Sequence, residues 1–419
     1  LFPFFTRNPE RPKFKDGFNG VIGEFCRLIT GKVRDYNYSI KDAIIYMVNN
    51  GNVQFENNKQ KNKFKNMLEN YVYPNNELEI LSPQLFLYLP LIDSKESKGE
   101  KEIALFIRDV LWQENEKIKN FLLEKEPETI LTRFFINNFN LLKKRNKKKN
   151  KYNKKLNYIS DLFMKDFEYL IGYEDYFMDN FHYLLSYYYF YYITQLYLKL
   201  RKNDQEKKHE LYYILNWEAG SKKRKSYKYG YYKEIKRNSE KLLPQIYAIE
   251  YLNFLFDETG KTLDELREIY NDLSENNKAK LKAIIKEWII EYRDNRGLDN
   301  LDLDEKKYEK LIEILINSLD QAVKTATKSR YRLSLDEIGK KYFLKSRGAL
   351  SYVGNITKEF LIFLTAVSVN NDERIKVKEL FERYEKRGIY LDRYSKREVL
   401  EFLNKLNVLD KKSDSGDAQ

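Results

Sequence analysis

Apolar side chains recur every three or four positions over most of this chain, which places them on one side of successive α-helices. Phe18, Ile22, Phe25 and Ile29 mark a short helix within residues 17–29. The same spacing predicts helices over 40–48, opened by Ser39 with Asp42, and over 63–73, stopped before Pro74. A long amphipathic helix is expected over 102–123, with Ile103, Phe106, Val110 and Ile118 inward, and an apolar one over 129–142. Further helices follow over 242–256, 262–272, 277–292 and 305–319, the second opened by a T-x-x-E capping box at Thr262 and Glu265. Residues 78–92, interrupted by Pro83 and Pro90, are the best candidate for extended chain in the first half.

Residues 181–200, FHYLLSYYYFYYITQLYLKL, break the one-sided pattern. Seven of the twenty are Tyr and two are Phe, and they fall on every helical face. A helix apolar all round is enclosed by other helices or by lipid. A membrane span needs about 20 predominantly apolar residues, which a row of phenols with His182, Ser186, Thr194 and Gln195 does not provide. A buried helix is therefore expected, each phenol needing a hydrogen-bond partner. An aromatic platform for stacked bases is the competing reading.

From residue 347 the punctuation changes, at Gly348 and Gly354. Three helices are expected, over 357–369, 375–386 and 395–406, the last opened by a capping box at Ser395 and Glu398. Val408 and Leu409 are expected to enter a strand, and 411–417 to turn. Three helices followed by a hairpin is the order of a winged helix, so the expected fold is mainly α: a multi-helical body, 1–346, and a C-terminal winged-helix-like domain, 347–419. The second wing strand is missing and the chain opens on Leu1 rather than Met, so a fragment is expected.

Charge adds a partner to this frame. The net charge is +13, and it is local. Residues 143–155 carry nine Lys or Arg and no acid, and residues 198–241 carry fourteen basic against six acidic side chains. Such clustering favours a groove for a polyanion over a uniformly basic surface, although Lys-rich composition can also reflect an AT-rich genome. Lys143, Lys144 and Arg145 open the first run, expected to be a mobile arm between helices that neutralises phosphates. In the second, Lys222, Lys223, Arg224, Lys225 and Lys228 interleave with Trp217, Tyr227 and Tyr229, cations for phosphates and rings for sugars or bases. In a winged helix the third helix would present Arg393, Lys396 and Arg397 to the major groove of double-stranded DNA. Residues 356–419 are nearly neutral, thirteen basic against twelve acidic, so a protein–protein role for this domain stands beside the DNA role.

The sequence carries no familiar catalytic signature. One cysteine, Cys26, and two histidines, His182 and His209, exclude a disulfide framework or a Cys-rich zinc site within the chain. There is no P-loop and no G-x-S-x-G. Asp302, Asp304 and Glu305, followed by Lys306 and Lys307, hold the letters of a nuclease site, but at the polar start of an amphipathic helix. No catalysis, cofactor or metal is expected. No signal peptide is visible, so the expected compartment is the cytoplasm, with no membrane association.

The segment from Lys376 to Gln419, KVKELFERYEKRGIYLDRYSKREVLEFLNKLNVLDKKSDSGDAQ, resembles the DptG family of DNA phosphorothioation-dependent restriction proteins, most distinctively in its SDSGDA ending. Weaker similarities lie in FPFFTRNPE (2–10), LNWEAGSKKRKSYKYG (215–230) and FLKSRGALSYV (343–353). The resemblance implies a role in bacterial antiviral defence, together with the partner ATPases DptF and DptH, restricting DNA that lacks the host's phosphorothioate modification. It supplies no catalytic motif. The expected function is a non-catalytic DNA-contacting adaptor subunit; the alternatives are a structural scaffold without DNA binding and a metal-dependent nuclease subunit.

Overall fold

A computed structural model describes residues 1–5, 7–15, 17–34, 40–50, 53–74, 79–89, 94–126, 129–138, 142–146, 149–202, 209–228 and 241–410. Among the described residues the chain is mainly helical, with two small sheets. It divides into two compact units. The first comprises Leu1–Asn8, Phe190–Thr357 and Gly388–Leu409; the second is built chiefly of Pro9–Tyr189 and Lys358–Arg387. The residues expected to form one C-terminal domain are thus shared out: 347–357 and 388–409 belong to the first unit, and 358–387 to the second.

The aromatic segment lies in a single helix, Glu174–Lys202, about 44 Å long at 1.5 Å per residue. The division between units falls inside it, between Tyr189 and Phe190. Tyr187, Tyr188, Tyr189, Tyr191 and Tyr192 are each no more than 1% exposed, so the helix is a core element and presents no open platform. Tyr187 and Tyr188 have the partners that a buried phenol needs: Tyr187 donates to the carbonyl of Arg387, and Tyr188 to Asp166 Oδ2 at 2.5 Å.

The second unit packs Asn19–Ile29 against Ser97–Val110, with Asn157–Leu170 and the start of the aromatic helix closing around them. Phe25 is the hub, its ring 6.3 to 6.5 Å from those of Phe163, Phe167, Trp112 and Phe181. Gly23 lies against the Leu89 backbone, where a Cβ would collide with the carbonyl. The long helix expected over 102–123 is two helices, Ser97–Val110 and Glu116–Glu124. The Asn115 side chain accepts from the Ile118 amide and starts the second one afresh, a side-chain cap that apolar spacing does not reveal. The stretch expected to be extended contains a 3-10 helix, Pro83–Tyr88, because Pro83 enters at its first turn, where a missing N–H costs nothing.

The first unit holds a helical bundle and a four-stranded sheet. Leu242–Leu255, Leu263–Asp272, Glu275–Asn295 and Tyr308–Ala322 share a core around Leu252, Leu266, Ile285, Ile289, Leu311 and Leu315. The capping box forms as expected, Thr262 Oγ1 accepting from the Glu265 amide and Glu265 Oε2 from the Thr262 amide. With strands numbered along the chain, β1 is Lys32–Arg34 and β2 Leu142–Lys144, a two-stranded ribbon in the second unit. The larger sheet comprises β3 (Tyr212–Leu215), β4 (Leu344–Ser346), β5 (Tyr352–Ile356) and β6 (Tyr390–Leu391), in the order β4-β5-β3-β6. β3 runs parallel to both β5 and β6, and β4 antiparallel to β5. Gly388 leads into β6 at φ 83°, beside the Tyr191 ring, so neither the backbone nor the space admits a side chain there.

The three C-terminal helices exist as Lys358–Val369, Val377–Lys386 and Arg393–Lys405. The last is capped by Asp392, which accepts from the Tyr394 and Ser395 amides, rather than by Ser395. Ser395 is buried within the first turn. Val408 and Leu409 are irregular, not strand, and the expected turn over 411–417 lies outside the described residues.

Candidate nucleic-acid interface

Arginine chemistry organises the surface beyond the carboxyl ends of β3 and β6. After β3 the chain turns at Asn216 and Trp217, continues through the lysine-rich segment, and makes one helical turn at Lys225–Lys228. After β6 it reaches Asp392 and the helix Arg393–Lys405. Because β3 and β6 are parallel neighbours, these two segments emerge side by side.

Arg224 joins them. Its guanidinium forks onto Asp392, Nε to Oδ2 at 2.8 Å and Nη2 to Oδ1 at 2.7 Å, and also reaches Ser395 Oγ at 2.7 Å and Glu218 Oε1 at 3.1 Å. Glu218 is itself buried, its Oε2 accepting from the Leu215 amide and from Ser395 Oγ. Arg347 closes the loop from below, donating to the carbonyls of Glu218 at 2.7 Å and Leu215 at 3.1 Å. On the outer side Trp217 packs on Phe402, centroids 5.4 Å apart, and donates Nε1 to Glu398. Burial opposes ionisation of Asp392, yet the Arg224 guanidinium and the two capping amides hold its carboxyl below the usual range. Arg224 is desolvated as well, and Asp392 and Glu218 hold it above its ordinary value.

The sequence-predicted cations fall into distinct roles. Lys222, Lys223, Lys225 and Lys228 are exposed, as are Arg393 and Arg397 on the first turns of the adjoining helix, with Lys396 half-buried between them. Lys225 lies over the Tyr212 ring, 5.2 Å from its centroid, and Arg397 is 3.7 Å from Glu401, its side chain 68% exposed. Arg224, by contrast, is 9% exposed and turned inward. It is a positioning residue, since its donors go to Asp392, Glu218 and Ser395 rather than outward. Folding therefore brings together two predicted groups that lie about 170 positions apart in the chain.

The third group belongs to the other unit. Lys143 and Lys144 are exposed on β2, where Lys144 faces Lys32 and Lys143 faces Val33. Like charges directly opposite each other cost stability, so this ribbon gathers positive potential at some expense to itself. Arg145 is not part of that surface: Nη2 pairs with Glu24 at 2.6 Å and Nε donates to the Lys32 carbonyl. Nor is the described remainder of the run a loose arm. Asp109 Oδ2 accepts from the amides of Lys151 and Tyr152, Lys151 and Tyr152 both reach Glu102, and Tyr152 is buried. These carboxylates belong to a distant helix, and for that reason the run read as unattached in sequence. Residues 147, 148 and 229–240, which carry further basic positions and Tyr229, lie outside the described residues.

Asp302, Asp304 and Glu305 do not converge. Asp302 caps the Asp304 amide, Asp304 is 96% exposed beside Lys286, and no set of three His, Cys, Asp or Glu side chains among the described residues is placed to hold a metal ion. Cys26 is fully buried, and burial pushes its thiol up, which leaves it a poor nucleophile. No helix among the described residues is long and apolar enough to cross a membrane. No family model matches the chain, and no curated protein matches it.

Sequence reasoning missed Asp392, Glu218 and Arg347. Asp392 carried a legible signal, a cap-forming residue before an amphipathic run. Nothing local marked Glu218 or Arg347.

Proposed function

We propose that this protein is a non-catalytic adaptor that contacts the phosphate backbone of double-stranded DNA through the surface joined by Arg224. The observation that supports this is the meeting of Lys222, Lys223, Lys225 and Lys228 with Arg393, Lys396 and Arg397 on neighbouring segments, beside the partly exposed Trp217 ring and the exposed Tyr394 ring. Cations on a short rigid platform neutralise phosphates without reading bases, and rings among them add stacking on sugars or exposed bases. Lys143 and Lys144 supply a second phosphate-binding point.

Similarity to the DptG family gives this activity its setting: a cytoplasmic phosphorothioation-dependent restriction complex with the ATPases DptF and DptH, acting in phage defence. The winged-helix-like reading of residues 347–419 rests on the order of the three helices. The hairpin that would complete a wing has no counterpart among the described residues.

The test is fluorescence anisotropy on a short duplex at about 50 and 200 mM salt. Lys222→Glu with Lys223→Glu weakens binding several-fold at the lower salt and reduces the salt slope by about two, one for each phosphate that is no longer neutralised. Unchanged affinity and slope would point to the scaffold reading, in which the lysines are solvated surface only.

A further inference from the structure

The bundle of the first unit carries a surface of opposite character. Its helix Leu242–Leu255 has apolar or aromatic residues all round, yet one side lies open: Tyr247 is 39% exposed and Phe254 80%. The neighbouring helix Glu275–Asn295 continues this face. Trp288 lies 4.4 Å from Tyr251 and stacks on Tyr292 at 4.7 Å with an interplanar angle of 10°. Ile284, one turn before Trp288, is 45% exposed. Tyr251, Trp288 and Tyr292 are half-buried against the bundle core, and Tyr247, Phe254 and Ile284 are exposed beside them; apolar patches of this kind mark interaction sites.

Carboxylates frame the row. Glu250 lies between Tyr247 and Phe254 on one helix, and Glu287 and Glu291 flank Trp288 on the other; all three are exposed. Burial, then the negative charges of Glu287 and Glu291, push the Tyr251 phenol up to about 12. At the far end the row already holds a cation: the Arg296 guanidinium sits over the Tyr292 ring, 5.5 Å from its centroid. Ring faces and carboxylates together attract guanidinium and ammonium groups, while three carboxylates repel phosphate.

We propose that this face docks a Lys- or Arg-bearing peptide segment of a partner protein, its cations lying over Trp288, Tyr251 and Tyr247 and against Glu287, Glu291 and Glu250. Charge complementarity selects this occupant over nucleic acid, and the site stands independently of the DNA surface. Aromatic anchors surrounded by matching charge supply affinity and orientation together.

The experiment uses the full chain and a labelled arginine–glycine peptide of about a dozen residues, with a glutamate–glycine peptide as control, read by anisotropy. The arginine peptide binds and the glutamate peptide does not. Glu287→Lys with Glu291→Lys weakens binding by about tenfold or more, since like charges then face each other across the interface. Phe254→Ala, at an exposed position that does not support the core, also weakens it, and neither variant changes DNA affinity. The proposal is overturned by absent peptide binding, or by equal binding to wild type and the double reversal. It is also overturned by self-association that the reversal abolishes, because the occupant would then be a second copy of the chain.

Discussion

Two arginine–aspartate forks, one in each unit, have nearly the same geometry. Arg387 meets Asp166 at 2.6 and 2.8 Å; Arg224 meets Asp392 at 2.7 and 2.8 Å. Each bridges more than 160 positions of sequence. Their surroundings differ. Arg387 also donates to the carbonyls of Val367 and Arg383, and its own carbonyl accepts from Tyr187, while Tyr188 donates to Asp166. Every group in that set belongs to the core helices of the second unit or directly follows one. Arg224 instead ties a surface segment to a helix N-terminus. The same ion pair therefore stabilises an interior in one place and assembles a surface in the other.

The comparison is tested most severely at Arg387. Burial pushes the Asp166 carboxyl upward while Arg387 pulls it down, and Asp166 holds the guanidinium above its ordinary value. Arg387→Leu leaves Asp166 buried beside Tyr188 without its cation and destabilises the protein by about 3–5 kcal/mol, measured by denaturant unfolding. Arg387→Met with Asp166→Leu recovers most of the loss, because no charge is then stranded. Equal losses in the single and double variants would show that packing, rather than the ion pair, dominates.

Arg224→Ala is expected to cost less, about 1–3 kcal/mol, since Glu218 and Asp392, although buried, keep the amides of Leu215, Tyr394 and Ser395 as donors. Its distinguishing effect is local. Residues 216–228 become sensitive to limited proteolysis and DNA affinity falls, although Arg224 points away from the proposed DNA surface. Lost DNA binding with the loop still protected would place Arg224 directly against phosphate.

The smallest effect is that of pH. The folded pKa of Asp392 lies below its unfolded value, so its contribution is complete above about pH 3.9 and is lost as pH falls through the lower folded value. Asp392→Asn keeps a cap-forming side chain and removes the charge. The stability gap between wild type and this variant should stay level from pH 7 to about 5 and close as pH falls below the unfolded value of about 3.9 and through the lower folded one. A gap unchanged at low pH would mean that the carboxylate charge contributes nothing.

How far sequence reading reached depended on the range of the interaction. The capping box at Thr262 and Glu265 was legible because both partners lie within one turn. Ser395 and Glu398 offered the same letters, but the cap went to Asp392, whose carboxyl is also fixed by Arg224 from 168 positions away, while Ser395 Oγ is turned to Glu218. β3 was invisible for a related reason: four buried residues in a row, Tyr212–Leu215, have no period, and only pairing with β5 and β6 makes them a strand.

Residue order alone determined the helical character of the chain, the burial of the aromatic segment and the concentration of positive charge, since all three follow from side-chain type and spacing within a few turns. Tertiary structure decided which of those charges are turned inward, as Arg145 and Arg224 are, and which basic segments share a surface. It also decided where the aromatic face on the bundle lies open. Such outcomes depend on electrostatic and packing partners that are remote along the chain, and local pattern carries no record of them.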